Sequence, residues 1–156
     1  MPDIDEPKED EELLGELRMV WDAEDPAPSG LADRMVAAAA VDDLNREFEL
    51  LTIVEGDKTG SVRRGSAPRT VHFADDDAEV LIRVSAERNG TRRVDGWSRP
   101  AVLAARLAQP EVERKADTAG DGRFTFDEVP PGPSHMRMVV KQDENLREVM
   151  TQWFEV

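Results

Sequence analysis

Cysteine is missing from the 156 residues, and so is tyrosine. The first absence removes disulfides, thiolate metal ligands and thiol chemistry together. Two histidines, His72 and His135, leave little from which to build a transition-metal site. Five Phe and three Trp are the only aromatics, which is thin for a carbohydrate-stacking surface. No apolar run approaches the roughly 20 residues that a membrane span requires. Positive charge is the scarce sign: 20 Lys and Arg stand against 34 Asp and Glu, a net of −14. Such a chain repels polyanions, so neither nucleic acid nor an anionic membrane surface is an expected partner. The opening MPDIDEPKEDEE is acidic where a secretory signal would be basic and then apolar, so the expected compartment is the cytoplasm.

What is present is unevenly spread. Residues 1–57 carry a net of −14, residues 58–115 a net of +4 and residues 116–156 a net of −4. The N-terminal third thus holds the whole imbalance, which bears on partners and self-association rather than on fold. The length suits one ordinary domain, or a small one with an extension.

Patterning changes near residue 50. Residues 1–9 are almost all Pro, Asp, Glu and Lys and are expected to be a disordered acidic tail. From Asp10, Leu13, Leu14, Leu17, Val20 and Trp21 recur at helical spacing, with Asp10, Glu11 and Glu12 in the first turn where the helix dipole favours anions. Asp25-Pro26-Ala27-Pro28 breaks this helix, because proline donates no amide and disfavours helix before it. Ser29 suits the N-cap of a second helix over 30–49, marked by Leu31, Met35, Ala38, Val41, Leu44 and Phe48. The domain organisation expected is two amphipathic helices over 10–49 with a hinge at 25–28, then a β domain over 50–156.

In that β domain the period falls to two. Thr70 to Ala74, then Val80, Ile82 and Val84, then Thr91 to Trp97 read as strands, with Asn89-Gly90 as a hairpin turn. Leu103, Ala105 and Leu107, then Phe124 and Phe126, then Met136, Met138 and Val140 continue the series. Six to eight short strands predict an antiparallel sandwich or barrel.

A motif lies on these strands: Val94-x-Gly96, then Thr118-x-x-x-Gly122-x-Phe124-x-Phe126-x-x-Val129-Pro130-Pro131-Gly132, then Met136 and Met138. It resembles the carboxypeptidase regulatory-like domain over about residues 69–142, with Ser98 where that family usually has an apolar residue. The resemblance implies a transthyretin-like (prealbumin-like) β-sandwich with a helical appendage, usually a non-catalytic accessory module. The N-terminal third, with Trp21, Asp25, Pro26, Leu31, Arg34 and the alanine run, is similar in outline to actinobacterial-type proteins associated with sigma factors and CHAT-type proteases, and to anti-sigma segments. The His and Cys zinc cluster of many anti-sigma domains is absent, so the implied role is metal-free.

Candidate chemistry is sparse. Asp117 to Glu128 imitates a calcium loop, with Asp117, Asp121 and Glu128 at ligand positions, but Ala119 stands where a third oxygen is needed and Phe124 and Phe126 alternate as in a strand. Asp75, Asp76, Asp77 and Glu79 form a second acidic knot, read as a solvated loop. His72 with Ser66 or Ser85 lacks the strained nucleophile turn and the orienting third group of a hydrolase, and no enzyme is expected. No cofactor and no metal are expected. The arginines between 63 and 99 lack interleaved aromatics apart from Trp97, so they suit an acidic helix or protein better than nucleic acid.

The functional expectation therefore falls on the helices. In one reading both cap an open face of the β domain. In the other, Leu13, Leu17, Val20 and Trp21, rimmed by Glu12 and Glu16 and continued by Leu31 and Met35, enter a partner's basic groove. A sigma factor would qualify as such a partner. The alternative class is a calcium-binding module that uses the acidic loops.

Overall fold

A computed structural model of the chain describes residues 7–56 and 67–156. The chain forms two compact units that part between Leu31 and Ala32.

The first unit contains helix α1, Pro7–Glu24. It starts three residues before the expected Asp10, because proline's fixed φ and missing amide cost nothing in a first turn. The remainder of the expected disordered tail, residues 1–6, lies outside the described residues. At the other end the Asp25 amide donates to the Trp21 carbonyl at 2.8 Å. The prolines then stop the helix. The Leu31 amide donates to the Pro28 carbonyl at 3.0 Å and Gly30 takes a φ of 72°, so the break is a tight turn.

Helix α2, Leu31–Asp42, is shorter than its spacing predicts. Leu44 and Phe48 continue the helical period, yet the local chemistry ends the helix first. Asp43 accepts the Asn45 amide on its side chain at 3.0 Å and the Arg46 amide on its carbonyl at 3.3 Å. Such local bonds offer the backbone an alternative to the helix.

The second unit is mainly β. Its strands are β1 (Glu49–Gly56), β2 (Arg69–Ala74), β3 (Glu79–Ala86), β4 (Arg92–Arg99), β5 (Val102–Ala108), β6 (Glu113–Lys115), β7 (Asp117–Thr118), β8 (Arg123–Val129), β9 (Pro133–Gln142), β10 (Asn145–Thr151) and β11 (Phe154–Glu155). They form one sheet in the order β6-β5-β9-β10-β1-β2-β3-β4-β8-β7, with β11 on β9. Every pairing is antiparallel except β1 with β10. Strand β1 joins two halves: Glu49 to Leu51 pair with β10, and the strand from Thr52 onward pairs with β2. At the opposite side, β6 pairs with β5 and β7 with β8, and only Ala116 separates β6 from β7. One short segment therefore links both ends of the order, and the sheet is nearly closed like a barrel.

Closure buries the inward residue of each alternating pair. Phe73, Ile82, Leu107, Phe124, Phe126, Met136 and Met138 fill the centre. Phe124 and Phe126 meet edge-on at 5.9 Å, as do Phe73 and Phe154 at 5.4 Å. Gly96 faces Phe124 across the β4–β8 pairing, where an added Cβ would lie 2.1 Å from the ring. At Gly122, with φ 91°, an added Cβ would lie 2.5 Å from the Ser98 carbonyl oxygen, and the buried Ser98 donates its amide to the Gly122 carbonyl at 2.8 Å. Gly96 is thus required by the closeness of the Phe124 ring, and Gly122 by its left-handed backbone and the close Ser98 carbonyl.

Helix α2 covers part of the sheet's outer face. Ala37, Ala40 and Val41 are buried against Ala104 and Val139, with Leu103 and Leu146 alongside. Ion pairs surround the contact: Asp33 to Lys141 at 2.6 Å, Asp42 to Arg106, and Arg46 to Glu148. Among the described residues no helix is long and apolar enough to cross a membrane.

Candidate protein-docking helix

Helix α1 carries seven carboxylates and two cations over 18 residues, a net of −5. Its apolar stripe is exposed along its length: Leu13 is 56% accessible, Leu17 44%, Val20 57% and Trp21 71%. Glu12 and Glu16 are exposed on the same helix. No basic residue occupies the last turn, where it would complement the helix dipole. Most helical stability in proteins comes from packing of an amphipathic face, so a cover over the stripe would stabilise the helix.

Helix α2 divides its residues more clearly. Ala37, Ala40 and Val41 face the sheet, whereas Leu31 and Met35, one turn apart, are exposed. Val36, which the helical spacing did not single out, is exposed as well, and so is Leu44, which it did and which lies beyond the end of α2.

The acidic loops are occupied by the fold itself. Asp117 pairs in register with Thr125, so the supposed calcium loop is the β7–β8 hairpin. Asp121 accepts the Arg123 amide at 3.0 Å, and Glu128, at φ 53°, donates its amide to Glu87 at 3.2 Å. Asp75 accepts the Asp77 and Ala78 amides and pairs with Arg147 at 2.6 Å. Burial alone would raise its pKa, but Arg147 and the two amides outweigh this and hold the carboxyl below the ordinary range. Among the described residues no three His, Cys, Asp or Glu side chains are grouped to hold a metal ion.

The histidines are placed separately. His72 lies 3.7 Å from Glu79, while Ser85 donates to the Arg93 carbonyl farther along β3. Ser66, the other serine considered with it, lies outside the described residues. His135 packs at a tilt against Trp153, ring centroids 4.5 Å apart, and its Nδ1 is buried without a hydrogen-bond partner. Burial first, and the nearby Arg137 second, lower its pKa.

One apolar pair escaped the sequence reading. Leu81 and Trp97 stand directly opposite each other on β3 and β4, and both are exposed. Alternation with Val80 and Ile82 places Leu81 outward, but only the strand register brings Trp97 beside it. No protein-family model, curated protein or solved structure matches the chain.

Proposed function

We propose that the protein is a non-catalytic regulatory or adaptor protein that binds another protein through α1. One observation carries the reading: a stripe of Leu13, Leu17, Val20 and Trp21 is exposed on a helix with a net charge of −5. Apolar side chains in a row favour a groove, and the acidic rim favours a groove lined with arginine and lysine. Glu12 and Glu16 supply part of the rim, and Leu31 and Met35 offer the partner further exposed apolar side chains. A sigma factor has the required chemistry, because its DNA-reading surfaces are positive. In this reading the barrel-like sheet is a transthyretin-like sandwich of the carboxypeptidase regulatory-like kind, and it supports the contact without doing chemistry. The paired Gly96 and Phe124, and the approach of Gly122 to Ser98, support that assignment.

Trp21 is the largest side chain of the stripe and dominates the binding energy. Trp21→Ala should weaken the complex by at least about 2 kcal/mol, roughly thirtyfold in Kd. The measurement is co-purification from the native cell with wild-type and variant chains, then titration of the recovered protein with each. A recovered protein that is not basic, or one bound equally by both chains, overturns the reading.

A further inference from the structure

Gly15 stands at the middle of α1, exposed, and a Cβ built on it would meet nothing within 4 Å. Among the described residues no close approach calls for glycine here, unlike at Gly96 and Gly122. At 3.6 residues per turn Leu13, Leu17, Val20 and Trp21 fall within about 100° of arc, and Gly15 lies about 170° from its centre. It therefore does not serve by admitting a partner's backbone to the stripe. What remains is its effect on the helix itself, since glycine in a helix interior is less favourable than alanine.

Most of α1 leans the same way. Its apolar residues are exposed, so the packing that gives most helices their stability is missing. Glu12 and Glu16 stand at i and i+4 with like charge. Asp22 and Glu24 occupy the last turn, where the helix dipole opposes anions and no basic residue offsets them. Only the first turn, with Pro7 and the acids that follow it, is locally favoured. Helix α2 differs, because Ala37, Ala40 and Val41 are buried against the sheet. We infer that α1 exchanges between helix and coil in the free chain, that docking completes the helix, and that Gly15 sets the balance. A binding-competent state that is populated only in part lowers the apparent affinity by that fraction. Gly15 thus keeps the contact releasable, and it does so from the side of α1 opposite the stripe.

This inference rests on reading α1 as a docking element, and it adds how the affinity of that element is set. The first measurement is amide hydrogen exchange of the free full chain. Amides of α1 should exchange much faster than those of Ala40 and Val41 in α2, and Gly15→Ala should slow α1 exchange about two- to fivefold. The second is titration with a synthetic amphipathic helix that carries leucine on one face and lysine along its rims. Gly15→Ala should bind this peptide about two- to fivefold more tightly, and Gly15→Pro at least about tenfold more weakly, although both leave every stripe residue in place. Wild-type α1 amides as protected as those of α2 overturn the inference. So does a Gly15→Ala chain that gains protection yet binds no more tightly. Trp21→Ala separates the two readings. If it weakens binding while Gly15→Ala leaves binding unchanged, this inference fails alone. If neither substitution alters binding, both fail.

Discussion

Gly122 and Gly90 share a left-handed backbone, at φ 91° and 86°, but not a neighbourhood. An added Cβ at Gly90 meets nothing within 4 Å, whereas at Gly122 it meets the Ser98 carbonyl oxygen at 2.5 Å. Replacing glycine in this conformation costs about 1 kcal/mol from backbone strain alone. Gly90→Ala should cost about that much. Gly122→Ala adds an overpacking cost of about 1–3 kcal/mol. It also displaces the carbonyl that accepts the Ser98 amide at 2.8 Å. Urea unfolding of the two variants measures the difference, and equal losses would mean that the turn before β8 relaxes freely. Residue types in the sequence motif thus report backbone contacts that spacing alone does not reveal.

At the scale of elements, α2 is held by two unlike contributions. Its ion pairs involve Asp33, Asp42 and Arg46, whose side chains are substantially exposed, so each contributes about 0–1 kcal/mol. Val41, 1% accessible against Ala104 and Val139, contributes more. Val41→Ala should cost about 1.5–3 kcal/mol through lost burial and the cavity left behind. Lys141→Met should stay under about 1 kcal/mol. Chemical denaturation of both variants decides the order, and a larger loss for Lys141→Met would reverse the account. Elements differ in how plainly the sequence displays them. The α1 stripe, the alternation of Val80, Ile82 and Val84, and the Asn89-Gly90 turn are local signals, and all were readable. The end of α2 was missed because Leu44 and Phe48 keep the helical period past Asp43, where side-chain bonding stops the helix. Strand β1 was missed because Glu49 to Gly56 is apolar on both faces, and its pairing partners lie far along the chain. The Leu81 and Trp97 pair needed the register, which no single strand contains.

For the whole molecule the net charge of −14 sets a field, yet its effect is screened beyond about 8–10 Å, so acid stability is decided by local environments. Asp42, through its hydrogen bond with Arg106, and Asp75, where Arg147 and two amides outweigh burial, have pKa values below the ordinary carboxylate value. Their stabilisation is complete above that value, about 4, and is lost only as the pH falls through the lower folded values. His135 acts at milder pH with the corresponding sign for a base. Burial, then Arg137, depress its pKa below the ordinary 6.5, against a smaller opposing effect of Glu113. As the pH falls below that value the unfolded chain takes up a proton that the folded chain refuses, so stability declines. The buried Nδ1 has no acceptor to receive that proton's hydrogen bond. The expected outcome is a fall in unfolding free energy between about pH 7 and 5, before the two aspartates contribute. His135→Gln, which does not titrate, should flatten that segment of the profile and leave the loss below about pH 4 in place. Urea unfolding at a series of pH values reads both segments. A variant that declines between pH 7 and 5 as steeply as the wild type would move the mild-acid sensitivity away from the His135–Trp153 contact.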